Sequence, residues 1–195
     1  MKIDGKLILE HSKKLNVLYV EDDESLRNST KKIFLNYFNR VDTAVDGNDG
    51  LEKYISYKND NDVYYDLVFS DINMPNLNGI DMSVAITNEN HQQHIIFITA
   101  HNEASYLHSA IEVGASGFLT KPIDPDQLKV LLYKTTQAIS DRKLIDKFYK
   151  EVIEKQVLWC GEFPEGTTLE FEVSDNKVSF PVWSSKSRIL RLKKL

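Results

Sequence analysis

The sequence predicts an α/β fold: a doubly wound five-stranded parallel sheet, continued by a long C-terminal helix and a small antiparallel β appendage. Two observations predict it. Short apolar runs alternate with stretches of three-and-four apolar spacing between residues 16 and 139, and beyond residue 156 the period switches to strict alternation. A third observation concerns placement: acidic, hydroxyl and amine side chains follow directly on four of the apolar runs.

In chain order, residues 1–15 are Lys-rich and carry Leu7, Ile8, Leu9 and Leu15, a short amphipathic lead-in. Asn16–Val20 is short and apolar, as suits a strand covered on both faces. After Glu24, residues Leu26, Ile33, Phe34, Tyr37 and Phe38 recur at helical spacing, and Val41–Val45 forms the next strand. The polar excursion Ser56–Asp62 reads as an insertion in a surface loop, where added length is cheap. Asp66–Phe69 is the third strand, followed after Asn78 by a helix with Ile80, Met82, Val84, Ala85 and Ile86. Ile95–Phe97 and Gly117–Leu119 supply the last two strands, separated by the helical pattern Tyr106, Leu107, Ala110, Ile111 and Val113.

The final helix begins with Leu128, Leu131, Leu132, Ala138 and Ile139. No Gly or Pro interrupts the chain from there to Gln156, and Leu144, Ile145, Phe148, Val152 and Ile153 prolong the apolar stripe. So long a helix needs a partner face, either a second copy of the chain or the C-terminal module. Val157–Cys160, Thr168–Val173 and Val178–Trp183 then read as three antiparallel strands, with turns at 161–166 and 175–177. Pro181 marks the last as an edge, and Trp159 and Trp183 read as docking core. The expected division is a lead-in at 1–15, a main domain at 16–140, a helical extension at 141–156 and a β-rich appendage at 157–195.

In open parallel sheets, ligands bind at the carboxyl ends of the strands. Glu21, Asp22, Asp71, Thr99 and Lys121 all fall there. Mg²⁺ takes a hard octahedral oxygen shell and retains several waters, so one or two carboxylates usually suffice. Asp22 and Asp71 fit as direct ligands, Glu21 as a holder of a metal-bound water, and the Asn73 backbone carbonyl as a further donor. A bound cation offsets the repulsion of three carboxylates, which would otherwise favour protonation. Asp71 then stays ionised and nucleophilic, with Lys121 and Thr99 available to the oxygens of a phosphoryl group. Carboxylates after strands also serve as helix caps, and Asp23 before Glu24-Ser25-Leu26 reads as one.

These residues lie in Val-Leu-Tyr-Val-Glu-Asp-Asp-Glu, Ser-Asp-Ile-Asn-Met-Pro-Asn-Leu-Asn-Gly, Ile-Ile-Phe-Ile-Thr-Ala-His and Gly-Ala-Ser-Gly-Phe-Leu-Thr-Lys-Pro, in that order. From about Asn16 to Ile139 the chain resembles the flavodoxin-like receiver domain of two-component response regulators. The resemblance implies a switch, not an enzyme acting on an outside substrate. Asp71 is its phosphoacceptor, served by a histidine kinase or phosphotransfer protein with Mg²⁺, and Glu21 and Asp22 are its acidic pair. It also implies switching through Thr99 and Phe118, tuning of dephosphorylation by Asn73 and His101, a tight loop at Gly79 and a cis bond before Pro122. The first acid departs from the more common Asp-Asp pair, being the longer Glu21.

Four of the five histidines, His91, His94, His101 and His108, lie close in sequence, but no pair has the spacing of a helical zinc site; solvated or capping roles are expected. Net charge is −5, yet Lys186, Arg188, Arg191, Lys193 and Lys194 make the last ten residues basic. That tail keeps open a DNA-binding regulator, beside the preferred phosphorylation-gated interaction protein and a phosphate sink or relay. A homodimer through the long helix is also open. Cys160 alone forms no internal disulfide and reads as a small buried hydrophobe in a reducing compartment. With neither a spanning segment nor a secretory h-region, the expected location is cytoplasmic.

Overall fold

The computed structural model describes residues 5–100, 104–154, 168–173 and 176–181. They divide into two compact units, Met1–Ser140 and Asp141–Leu195.

In the first unit, β1 (Asn16–Val20), β2 (Arg40–Ala44), β3 (Leu67–Asp71), β4 (Ile95–Thr99) and β5 (Gly117–Thr120) pair in the order β2-β1-β3-β4-β5. Every pair is parallel. Parallel strands need helical crossovers, so both sheet faces become covered and the strands read as apolar runs. Along β1 the alternation is explicit. Val17 and Tyr19 enter a core with Ile8 of α1 (Gly5–Ser12), Phe34 of α2 (Glu24–Phe34), and Leu128, Leu132 and Ile139 of α6 (Pro125–Glu154). Leu18 and Val20 face the other way, among Tyr54 and Tyr57 of α3 (Gly47–Asn61), Met82 and Ile86 of α4 (Gly79–Glu89), and Ala110 of α5 (Ala104–Glu112). The first core holds a cluster of rings, with Phe34 lying 5.4 Å from Tyr19 and 4.5 Å from Phe69.

One expectation changes in this unit. The stretch Ser56–Asn61 is not a loop but the last turns of α3, which closes at Asp62 with a left-handed φ of 57°. Tyr54 and Tyr57, one turn apart, bury against Tyr65 and hold this polar segment in the helix. The lead-in is a defined helix, α1, whose Ile8 is 2 % exposed.

In the second unit, β6 (Thr168–Val173) and β7 (Asn176–Pro181) form an antiparallel pair, with Val173 opposite Asn176. Asn176 and Lys177 thus belong to the strand and not to the turn expected there. The strand expected at Val157–Cys160, both tryptophans, Cys160 and the basic tail lie outside the described residues.

Candidate functional site

The site begins with strand ends. β1 stops at Val20, so Glu21 and Asp22 open the loop to α2; there Arg27 Nη1 donates to the Glu21 carbonyl at 2.7 Å and to the Asp22 carbonyl at 3.0 Å. Asp23 caps α2 by accepting from the Leu26 amide at 2.7 Å, the role its position suggested. This leaves Glu21 turned inward, 1 % exposed, and Asp22 facing solvent.

Asp71 ends β3 and is 6 % exposed; its Oδ1 accepts from the Ile72 amide at 2.7 Å, which fixes the carboxylate plane. The following loop folds back so that the Gly79 amide donates to the Ile72 carbonyl at 2.9 Å. A Cβ at Gly79 would overlap the Asp71 carbonyl, so only glycine permits this approach. Asn78 caps α4, and Asn76, at φ 65°, ties the loop to Asp46 at 2.6 Å.

Lys121 follows β5, its amide bonded to the Thr99 carbonyl at 2.9 Å and its bond to Pro122 cis. Its ammonium lies 2.5 Å from Asp71 Oδ2 and 2.9 Å from Glu21 Oε2. The sheet therefore brings together acids separated by 50 residues and an amine 50 residues further on. Carboxylate oxygens of Glu21, Asp22 and Asp71 lie within 4.8 Å of one another, the one such group among the described residues.

Burial pushes the Glu21 carboxyl above its ordinary range, and the Asp71 charge adds to this against the hydrogen bonds from Lys121 and Tyr19. Burial works against the Lys121 ammonium as well, but its hydrogen bonds to Asp71 and Glu21 outweigh that and raise its pKa. Two buried acids sharing one cation, with the third acid in water, form an all-oxygen site with surplus negative charge, which suits a hard divalent ion.

Thr99 Oγ1 donates to the Ala100 carbonyl at 2.9 Å, at the end of β4. Asn73 is exposed two positions beyond Asp71, and His101 lies outside the described residues. Phe118 is half-buried and stacks on Phe97 with centroids 6.1 Å apart. His94 bonds Ser116 at 2.9 Å and His108 faces Glu112 at 3.4 Å; neither joins the acidic group. Sequence reasoning passed over Tyr19, whose hydroxyl donates to Glu21 Oε2 at 2.9 Å. The available signal was its place two residues before Glu21, on one face of an extended strand.

A family model described as the response regulator receiver domain matches residues 17–133. The response regulator ArlR of Staphylococcus aureus is 28% identical over 130 residues, which cover 67% of this chain and 56% of the relative. The chain thus spans about half the length of the curated relatives it matches. Among solved structures, the N-terminal domain of an uncharacterized protein from Wolinella succinogenes is 32% identical, covering 68% of this chain and 99% of that one, with a TM-score of 0.57. A CheX-CheY-BeF3-Mg²⁺ complex from Borrelia burgdorferi matches at 27% identity and a TM-score of 0.53, covering 64% of this chain and 88% of that one. The order β2-β1-β3-β4-β5, the acids gathered at its carboxyl edge and the family match over residues 17–133 lead to one conclusion: the chain belongs to the response regulator receiver domain family, the signalling switches of two-component systems.

Proposed function

We propose that Asp71 is the phosphoacceptor, that Mg²⁺ is held by Asp22, Asp71 and the Asn73 carbonyl with Glu21 acting through water, and that phosphate arrives from a histidine kinase or phosphotransfer protein. The observation carrying this reading is the meeting of Glu21, Asp22 and Asp71 within 4.8 Å under the single ammonium of Lys121. Mg²⁺ in such a site offsets carboxylate repulsion and the charge that develops on a transferring phosphoryl group. An Asp71 carboxylate oxygen attacks phosphorus; the new O–P bond forms as the donor's bond to phosphorus breaks, and the electron pair leaves with the donor. Lys121 moves from the carboxylates to a phosphoryl oxygen, and Thr99 donates to another. The inward movement of Thr99 makes room for Phe118, which changes the surface offered to partners.

Beside Lys121 lies a cavity of about 210 Å³ whose lining includes Tyr19, Ser29, Thr30, Ile33 and Ile123. None of the described helices is long and apolar enough to cross a membrane. The unit ending at Ser140, which holds the family-matched residues 17–133, serves as the receiver. The Borrelia complex pairs a related fold with BeF3 and Mg²⁺, which supports the same chemistry here.

Incubation with acetyl phosphate and Mg²⁺ is expected to add one phosphoryl group by intact mass. Asp71→Asn abolishes the addition, and so does chelation. Undiminished labelling of Asp71→Asn would refute the assignment.

A further inference from the structure

We infer that Tyr19 is a positioning residue for the divalent-cation site, its buried hydroxyl holding the longer Glu21 side chain where the metal shell requires it. The inference rests on the Mg²⁺ reading and goes beyond it. Residues 19 and 21 lie on one face of the extended chain, and the Tyr19 ring is fully buried against Phe34. Its hydroxyl reaches Glu21 Oε2 at 2.9 Å. An ionised carboxylate only accepts, so the phenol must be the donor. Thr30, 3 % exposed on α2, lines the same cavity as Tyr19. Tyr19 thus orients Glu21.

The need follows from chain length. Glutamate has one more methylene and one more rotatable bond than aspartate, so an unanchored Glu21 would lose more freedom on meeting a cation-bound water. Lys121 contacts both Glu21 oxygens, at 3.1 and 2.9 Å, but the same ammonium is held by Asp71, so it does not fix Glu21 independently. Tyr19 is the anchor that stays in place when Lys121 moves. Groups that orient ligands in this way typically change metal affinity by about 10–100-fold.

The test is calorimetric titration of the full chain with MgCl₂, comparing wild type, Tyr19→Phe, Glu21→Asp and the double variant, with thermal unfolding followed alongside. Tyr19→Phe is expected to weaken Mg²⁺ binding about tenfold. In the Glu21→Asp background, where the shorter side chain no longer reaches the phenol, the same change has no further effect. Were Tyr19 only core filling, Tyr19→Phe would leave Mg²⁺ affinity unchanged whatever its effect on the melting temperature, and that result overturns the inference; so do additive effects in the cycle. If Tyr19→Phe does not fold, Tyr19→Met decides, since a flexible apolar side chain refills the space without supplying the hydroxyl. Weaker binding then supports the anchor, and wild-type affinity overturns it. A wild-type chain that binds no Mg²⁺ overturns the metal reading itself, an outcome distinct from equal binding by both chains.

Discussion

Glu21 sits where function and stability oppose each other. Burial is the largest influence on its carboxyl and exceeds the hydrogen bond from Lys121, so the folded pKa lies above the unfolded one. A group shifted in that direction contributes stability that is present below the unfolded pKa, about 4.3, and is lost as pH rises through the folded value. At neutral pH the ionised carboxylate is therefore a cost in the metal-free chain, while Asp71 still pairs with Lys121. Glu21→Gln is expected to raise the free energy of unfolding at pH 7–8 in chelator, with the gap closing as pH falls toward about 4. Added Mg²⁺ should reverse the order, because ligand binding stabilises only the chain that retains the site. Paired urea titrations with and without Mg²⁺ read both effects. A stability maximum displaced by functional charge is common in binding sites.

The strand ends were legible because each polar group follows directly on an apolar run, and a parallel sheet sends all those ends to one edge. The second half of α3 was not. Its apolar residues, Tyr54 and Tyr57, are separated by Ile55 and Ser56 and followed by Lys58, Asn59 and Asp60, so tertiary packing against Tyr65 decides a helix that local pattern leaves open. Tyr19 was missed for a related reason. Strand periodicity tells which face a side chain takes, but not that a phenol on that face ends 2.9 Å from a carboxylate. At the same scale, His94 at the entry to β4 bonds Ser116 before β5, and burial holds its pKa below the ordinary histidine value. Such a group contributes stability that is present above the unfolded pKa, about 6.5, and is lost as pH falls through the folded value. The unfolding free energy should decline below about pH 6.5 with a slope that His94→Gln reduces. Chemical denaturation across pH 5–8 measures the difference, and parallel profiles would reject this role for His94.

At the scale of the whole chain, the first unit closes by bringing its ends together. α1 places Ile8 in the same core as Leu128, Leu132 and Ile139 of α6, and His11 Nδ1 lies 2.9 Å from Ser140 Oγ across 129 residues. Residues 5–15 thus pack as part of the same unit as the sheet. The family match begins only at residue 17, so this packing is an addition to the matched core. It covers apolar surface on α6 that a sheet and five helices would leave partly in water. Ile8→Ala should therefore cost about 2–5 kcal/mol in unfolding free energy, the range for a buried large-to-small change. The acidic site is built from the ends of β1, β3 and β5, and the hydrogen bonds described above join Tyr19, Glu21, Asp71, Ile72 and Lys121, residues outside α1. Below the unfolding midpoint, then, the variant should take phosphate from acetyl phosphate at the wild-type rate and bind Mg²⁺ with unchanged affinity. Urea unfolding and the rate of mass gain test the two halves of this statement separately. An unchanged midpoint would show that α1 is ornamental to the fold, and a slowed phosphorylation would show that the closure reaches the strand ends after all.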